Sequence, residues 1–496
     1  MAKDEGKSES KDEAAKDEEK TPEIEEKEAS KKLSGTFGKK KTAYTARAAT
    51  QVFEVGDKKV SYFYVDYVKD DADPAERPIL FCFNGGPGSS TVWLNLGLFG
   101  PKRMHFDDDG FKVGMQGRLV DNPHSILDMC DVVCIDAMGT GFSRTADKDD
   151  AKSFYHFKKD IEAFAAFIVR YLNRNGRWAS PKYLAGESYG TLRAAGLARE
   201  LFTRYNVEFN GIMLISAVLN YQTVKSDVAW KLFPPGNDLP YMLFLPTYAA
   251  TAWYHERLGK KHQSMKLGDF LEEVETFALG EYWTALAQGD NLDPKTRQRV
   301  ARTLAAYTGL SEEYIDYYDL RVNILRFCKE LLRDRRRTVG RIDSRYTGID
   351  RVPAGDGIEA DPSLDATGGV AASALNQFLR QELGFETDEI YEIMSGDVLQ
   401  NWDYEDFKNA YVDTSEALRE VMSRSRGTKV FVANGYYDLA TPYFATEYTF
   451  SHMGLDPEVR PNVSMEYYEA GHMMYVHLDS LEKLARHLRD FIKTTA

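Results

Sequence analysis

The stretch Lys182-Tyr-Leu-Ala-Gly186-Glu187-Ser188-Tyr189-Gly190-Thr191 decides the fold class of this chain. Its first residues suit a buried strand, and residues 192–201 are small and apolar enough for a packed helix. Glycines on both sides of Ser188 let the backbone turn sharply from strand to helix. Such a turn exposes the serine hydroxyl and places free N–H groups of the helix beside it. The pattern predicts a nucleophile elbow, and a glycine-rich turn with a solvated serine is the alternative.

The composition bounds the kind of protein that this chain can be. Its 496 residues suffice for one large domain or two smaller ones, and 43% hydrophobic residues suffice for a packed core. A net charge of −14 argues against nucleic acid as the main partner. The sequence contains no run of 18 or more apolar residues, so it predicts no membrane-spanning helix. The four cysteines indicate neither a disulfide scaffold nor a metal site, and no cofactor is expected.

The first 41 residues differ in composition from the rest of the chain. Lys, Glu, Asp, Ala and Ser dominate them, and Phe37 is the first aromatic residue. Because such a segment buries little apolar surface, we predict a disordered charged tail, with a helical docking segment as the alternative. The segment does not resemble a secretory signal, which predicts a cytoplasmic protein. A misassigned start would instead leave a periplasmic or secreted location open.

From residue 44 onward, short apolar runs alternate with helical patterns. This alternation predicts an α/β fold with a mostly parallel central sheet that helices cover on both faces. The first two runs are joined by a Gly-Asp turn and predict a hairpin. The predicted strands are residues 51–55, 60–68, 78–83, 131–136, 182–186, 211–216, 428–433 and 463–468.

Residues 221–427 show helical periodicity in place of buried strand runs. We predict that they form an inserted, mainly helical cap over the sheet, and that residues 42–220 and 428–496 form the two parts of the core. The basic run at residues 333–341 is typical of a solvated helix face. A role in holding a substrate carboxylate is the alternative for this run.

Three candidate catalytic residues each follow a predicted strand. Ser188, Asp438 and His472 stand in the order nucleophile, acid, base, and the carboxyl ends of parallel strands lie at one edge of a sheet. His472 would accept the serine proton, and Asp438 would orient and stabilise the imidazole. Asp438 could instead be a turn residue, and His477 is a nearby competitor for the base.

A catalytic serine also needs an oxyanion hole. Tyr189, directly after the nucleophile, supplies one backbone N–H, and the loop Asn84-Gly-Gly-Pro-Gly88 after a buried strand can supply the second. A plain tight turn is the alternative for this loop. The elbow, the acid, the base and the loop occur together and in the right order, which predicts an α/β-hydrolase.

Four motifs carry a resemblance to a known family. Asn84-Gly-Gly-Pro-Gly-Ser-Ser90, Gly139-Thr-Gly-Phe-Ser143, Gly186-Glu-Ser-Tyr-Gly190 and Gly471-His472 resemble the signature blocks of the serine carboxypeptidases. The resemblance runs from about residue 60 to the C-terminus. It implies an α/β-hydrolase fold with an inserted cap, and removal of C-terminal residues from peptides with a preference for acidic pH.

The resemblance also implies a role for each site residue. The implied triad is Ser188, Asp438 and His472, the implied oxyanion hole is the N–H groups of Gly86 and Tyr189, and the implied carboxylate-binding residues are Asn84, Gly85 and Glu187. Glu187 can donate a hydrogen bond to a substrate carboxylate only while it keeps its proton. We therefore predict that affinity for peptides with a free C-terminus falls as the pH rises.

The chain departs from the family pattern at two places. Ser89 stands where members usually have cysteine, and residues 93–100 contain no acidic side chain where many members carry one. These departures leave three hypotheses for function. A serine exopeptidase acting on peptide C-termini comes first, followed by an esterase or acyltransferase on the same scaffold. The third is a catalytically inactive protein that binds peptides.

Overall fold

A ten-stranded sheet runs through the centre of the protein, whose computed structural model describes residues 24–224 and 236–496. Two short hairpins lie outside the sheet. The strands are β1 (Glu28–Phe37), β2 (Lys40–Val55), β3 (Lys58–Lys69), β4 (Ile79–Phe83), β5 (Lys102–Met104), β6 (Leu119–Asp121), β7 (Asp131–Ile135), β8 (Arg144–Thr145), β9 (Lys182–Glu187), β10 (Gly211–Ile215), β11 (Thr338–Val339), β12 (Thr347–Gly348), β13 (Lys429–Gly435) and β14 (Val463–Tyr468).

Six neighbouring strands of the sheet run parallel, in the order β7-β4-β9-β10-β13-β14. The first three strands form an antiparallel ribbon, and β3 joins this ribbon to β7. Strands β4, β7 and β10 are buried along their whole length, as expected where helices cover both faces. The arrangement confirms the mostly parallel sheet that the sequence predicts.

Helices cover the sheet and fill the insert. The α-helices are α1 (Val92–Leu94), α2 (Phe157–Arg174), α3 (Tyr189–Tyr205), α4 (Leu239–Tyr254), α5 (Lys260–Gln263), α6 (Leu267–Phe277), α7 (Trp283–Gln288), α8 (Pro294–Thr308), α9 (Glu312–Tyr317), α10 (Ile324–Glu330), α11 (Pro362–Asn376), α12 (Gly396–Asn401), α13 (Ser415–Arg424), α14 (Tyr443–His452) and α15 (Leu478–Thr495). A π-helical turn continues α1 through Asn95–Phe99. Across residues 24–224 and 236–496, none of the helices has the length and apolar character needed to cross a membrane.

Each face of the sheet has its own hydrophobic core. Helices α2, α3 and α13 pack on one face, whereas α11 and α15 pack on the other. In a third core, α4, α6, α8 and α10 bury their apolar sides together and against residues of α3 and α14. Helices α11 and α13 belong to residues 221–427 but pack on the sheet. The division of the chain into core and cap at these boundaries therefore stays a prediction.

The N-terminal segment differs from the sequence-based expectation. The sequence predicts a disordered tail over residues 1–41, but residues 28–37 form β1, which pairs with β2 along its full length. Leu33 and Ala29 pack against the core and Phe37 is buried, while Lys31 and Lys32 are exposed. Composition alone missed this alternation, and the neighbouring strand supplies the backbone hydrogen bonds that stabilise the edge. Residues 1–23 of the predicted tail lie outside the described residues.

Candidate active site

Ser188 sits at the junction of β9 and α3 with a strained backbone. Its φ of 59° and ψ of −128° are unusual for a residue with a side chain. A Cβ on Gly186 would lie 2.0 Å from the Gly190 carbonyl oxygen, and one on Gly190 would lie 2.8 Å from the Phe83 oxygen. Only glycine therefore fits on either side, and the geometry is that of a nucleophile elbow.

Asp438 and His472 are hydrogen-bonded and buried. His472 Nδ1 lies 2.7 Å from Asp438 Oδ2, and the Thr441 hydroxyl donates to the same oxygen at 2.7 Å. The backbone N–H groups of Ala440 and Thr441 donate to Asp438 Oδ1 at 2.8 and 2.9 Å. These bonds fix the carboxylate toward the imidazole. Because Nδ1 is occupied, Nε2 is the ring nitrogen left for a nucleophile.

The end of β10 connects the elbow to the histidine. The Ser188 N–H donates to the Ile215 carbonyl at 3.0 Å, and the Ser216 hydroxyl donates to the His472 carbonyl at 2.6 Å. The His472 N–H donates to the Ile342 carbonyl at 2.8 Å, so a segment of the insert also holds this loop. Hydrogen bonds to the His472 backbone from two directions thus hold the loop that carries the imidazole.

The electrostatics of His472 favour its use as a base. Burial by itself lowers the pKa of His472, but the adjacent Asp438 carboxylate and the nearby Glu187 outweigh that effect and raise the pKa. The positive charge of Arg341 acts in the opposite direction and lowers the pKa. A histidine with a raised pKa is a stronger proton acceptor for a serine hydroxyl.

The loop after β4 lies directly against the elbow. A Cβ on Gly85 would lie 2.5 Å from the Tyr189 nitrogen and 2.7 Å from the Glu187 oxygen, so the close approach requires glycine. Gly86 has a φ of +108°, which side chains rarely adopt. The contact brings the loop backbone beside the first N–H of α3, as an oxyanion hole requires.

A fully buried arginine holds this loop from behind. Arg193 Nη1 donates to the Asn84 carbonyl at 2.6 Å, and its Nε donates to Asp160 Oδ2 at 2.7 Å. Its guanidinium also lies over the ring of Phe164. Breaking the ion pair with Asp160 would leave an uncompensated buried charge, so Arg193 is held firmly in place. Its hydrogen bond to the Asn84 carbonyl therefore fixes the loop.

Glu187 lies next to Ser188 with its carboxyl group buried. Asn84 Nδ2 donates to Glu187 Oε1 at 2.8 Å, and Asn84 Oδ1 accepts the Leu94 N–H at 3.0 Å. Burial raises the pKa of Glu187 to about 7, with Asp438 adding to the rise and His472, Tyr475 and Asn84 opposing it. Below neutral pH, this carboxyl group is therefore a hydrogen-bond donor.

A family model described as serine carboxypeptidase matches residues 42–482 of this sequence. The chain belongs to the serine carboxypeptidase family. Among curated members from Arabidopsis thaliana, serine carboxypeptidase-like 5 is 25% identical over 237 residues, which are 46% of each chain. Serine carboxypeptidase-like 40 is 29% identical over 168 residues, which are 33% of this chain and 32% of the relative. The chain thus spans a third to about half of the length of these relatives.

A solved carboxypeptidase structure shares the fold of this chain. The structure of a prohormone-processing carboxypeptidase from Saccharomyces cerevisiae superimposes with a TM-score of 0.55 over 91% of both chains, at 14% sequence identity. This likeness confirms the predicted α/β-hydrolase fold.

His472 and His477, the two candidates for the base, have different partners in the structure. His477 Nδ1 lies 2.8 Å from the Ser480 hydroxyl at the start of α15, whereas His472 contacts Asp438.

Several residues around the site carry no obvious sequence signal, including Ser216, Tyr475 and Arg193. The contact of Thr441 with Asp438 was predictable from the sequence. An aspartate side chain commonly accepts a hydrogen bond from the N–H of the residue three positions later.

The basic run at residues 333–341 is divided in the structure. Arg335 ends a short 3-10 helix, Arg333–Arg335, and Arg336 and Arg337 follow it. All three are exposed, so this part is solvated but does not form the face of an α-helix. Arg341 lies apart from them. Its carbonyl accepts the Leu439 N–H at 3.0 Å, which places its backbone directly beside the Asp438 loop. A role of this run in carboxylate binding stays a prediction.

Proposed function

We propose that this protein is a serine-type carboxypeptidase that releases C-terminal residues from peptides. The observation that carries the proposal is the buried Glu187 carboxyl beside the nucleophile, held by Asn84 at 2.8 Å and with a pKa raised to about 7. A protonated carboxyl at this place can donate to a substrate's terminal carboxylate, which an ordinary esterase does not need. The N–H of Gly85 is the third proposed contact to that carboxylate.

The proposed reaction uses the three residues of the proposed triad. Ser188 Oγ attacks the carbonyl carbon of the last peptide bond, and its proton passes to His472 Nε2. The N–H groups of Gly86 and Tyr189 stabilise the negative oxygen of the tetrahedral intermediate. When the C–N bond breaks, His472 gives the proton to the departing amine. Water then attacks the acyl-enzyme with the same base, which frees the shortened peptide and restores Ser188.

The proposal is tested with one N-blocked dipeptide prepared as the free acid and as the C-terminal amide. Release of the last residue is measured at about pH 5 and about pH 7.5, on either side of the Glu187 pKa, with Ser188→Ala as the blank. We expect the free acid to be preferred, and most strongly at the lower pH. Equal cleavage of the acid and the amide would show that Glu187 does not recognise the terminal carboxylate.

The second candidate is an esterase or acyltransferase on the same scaffold. It is favoured by the absence of any acidic residue in the stretch 93–100, so that Glu187 has no carboxyl partner from that segment. Turnover of simple esters without cleavage of either dipeptide form would establish this candidate. Full biological function of Ser188→Ala would instead indicate a peptide-binding protein without catalysis.

A further inference from the structure

Two buried polar atoms beside the nucleophile have no hydrogen-bond partner among the described residues. They are Oε2 of Glu187 and the hydroxyl oxygen of Tyr475. Both side chains are at least 97% buried, and the Tyr475 hydroxyl is near enough to Glu187 to lower the pKa of that carboxyl without meeting hydrogen-bond geometry. Buried polar groups in native proteins are nearly always paired. Two such atoms side by side therefore indicate a place where a polar ligand can bind.

The fold directs Tyr475 to this position. It lies in a 3-10 turn, Met474–Val476, that begins two residues after His472. Its ring fills the space in front of Gly97, where a Cβ would lie 2.4 Å from the ring. Gly97 belongs to the π-helical turn Asn95–Phe99, which follows the glycine loop and carries no charged side chain. A glycine on one segment and a tyrosine on another thus combine to bring a hydroxyl to the buried carboxyl.

We propose that the Tyr475 hydroxyl donates a hydrogen bond to the terminal carboxylate of the substrate, together with Asn84 and Glu187. The inference rests on the proposed carboxypeptidase function. A carboxylate only accepts hydrogen bonds, so its site must be made of donors. Asn84 has a second N–H besides the one that it gives to Glu187. Tyr475 supplies a hydroxyl that lies close to Glu187 and Asn84 but meets hydrogen-bond geometry with neither of them.

Tyr475 and Glu187 differ in how they respond to pH. Burial raises the pKa of Tyr475 well above 10, so its hydroxyl stays a donor across the working range of an enzyme. Glu187 loses its donor proton near pH 7. The other groups that act on Glu187 are His472, Asp438 and the amide of Asn84. Tyr475 is therefore the donor that remains when Glu187 has ionised.

The test is Tyr475→Phe, which keeps the ring packed against Gly97 and removes only the hydroxyl. KM for the free-acid dipeptide at pH 8 should rise by about ten- to a hundredfold, the usual effect of losing a hydrogen bond to a charged group. KM for the amide and kcat for both forms should stay within about twofold. Tyr183→Phe is the matched control, because its hydroxyl pairs with Thr495 at the far end of β9.

A purely structural role of Tyr475 predicts the opposite change in KM. If Tyr475 serves only to hold Glu187, removing the hydroxyl raises the Glu187 pKa, and KM for the free acid at pH 8 falls. If KM for the free acid at pH 8 falls or does not change, the inference about Tyr475 is overturned. The proposed function still stands in that case, provided that the wild type prefers the free acid to the amide. A wild type without that preference would instead overturn the proposed function. In the Ser188→Ala background, calorimetric binding of both dipeptide forms gives the same comparison without turnover.

Discussion

Replacing Glu187 with glutamine should remove the pH dependence of C-terminal carboxylate recognition. Asn84 Nδ2 donates to Glu187 Oε1, so a glutamine oxygen can keep that bond. The glutamine N–H group then takes the place of Oε2, the atom that has no partner among the described residues. The variant would present a donor to the substrate carboxylate at every pH, whereas the wild type does so only while Glu187 is protonated.

The size of the effect follows from the Glu187 pKa of about 7. The protonated fraction is about nine-tenths at pH 6 and about one-eleventh at pH 8. If only the protonated form binds well, KM of the wild type for a free-acid peptide rises about tenfold between these two values. The same KM in Glu187→Gln should change by less than about twofold.

The assay measures KM for the free-acid and amide forms of one dipeptide at half-unit steps from pH 5.5 to 8.5. The amide lacks the carboxylate, so its KM reports every titration other than the one at Glu187. The ratio of the two values isolates carboxylate recognition from the titration of His472. A tenfold rise of this ratio in Glu187→Gln as well as in the wild type would refute the reasoning.

Four further substitutions test the proposed triad and the charge beside it. Ser188→Ala and His472→Ala should each lose nearly all turnover without loss of the folded state, because triad members act as a unit. Asp438→Asn should melt like the wild type but lose about 10³- to 10⁴-fold in kcat, and near wild-type turnover would mean that another carboxylate orients His472. Arg341→Gln should move the acid limb of the kcat/KM profile to higher pH, because the charge of Arg341 lowers the pKa of His472. Arg337→Gln, which changes an exposed member of the same basic run, should leave the limb in place.

The parts of this structure that the sequence predicted are local ones. The elbow is specified within ten residues, because the glycines around Ser188 and the strand and helix beside them are neighbours in the chain. The buried strands were equally visible, since continuous apolar runs need no distant partner to be recognised. The loops that carry Asp438 and His472 followed from the strands that precede them.

The parts that the sequence did not predict depend on distant partners. Strand β1 is a charged segment whose order comes from its pairing with β2, so its composition indicated disorder. Tyr475 and Gly97 are separated by more than three hundred residues, and nothing near either one predicts their contact. The buried pair of Arg193 and Asp160 is similar, because each residue alone is typical of an exposed helix face.

Arg341 and Ile342, which lie in the predicted insert, contact both loops of the proposed acid–base pair. The Leu439 N–H donates to the Arg341 carbonyl, and the His472 N–H donates to the Ile342 carbonyl, so adjacent residues of one segment hold both loops of the acid–base pair. A cap that only covered the cleft could shift without moving the imidazole. This segment cannot shift without breaking a backbone hydrogen bond of His472 and another beside Asp438. Changes in the insert should therefore affect kcat as well as substrate preference.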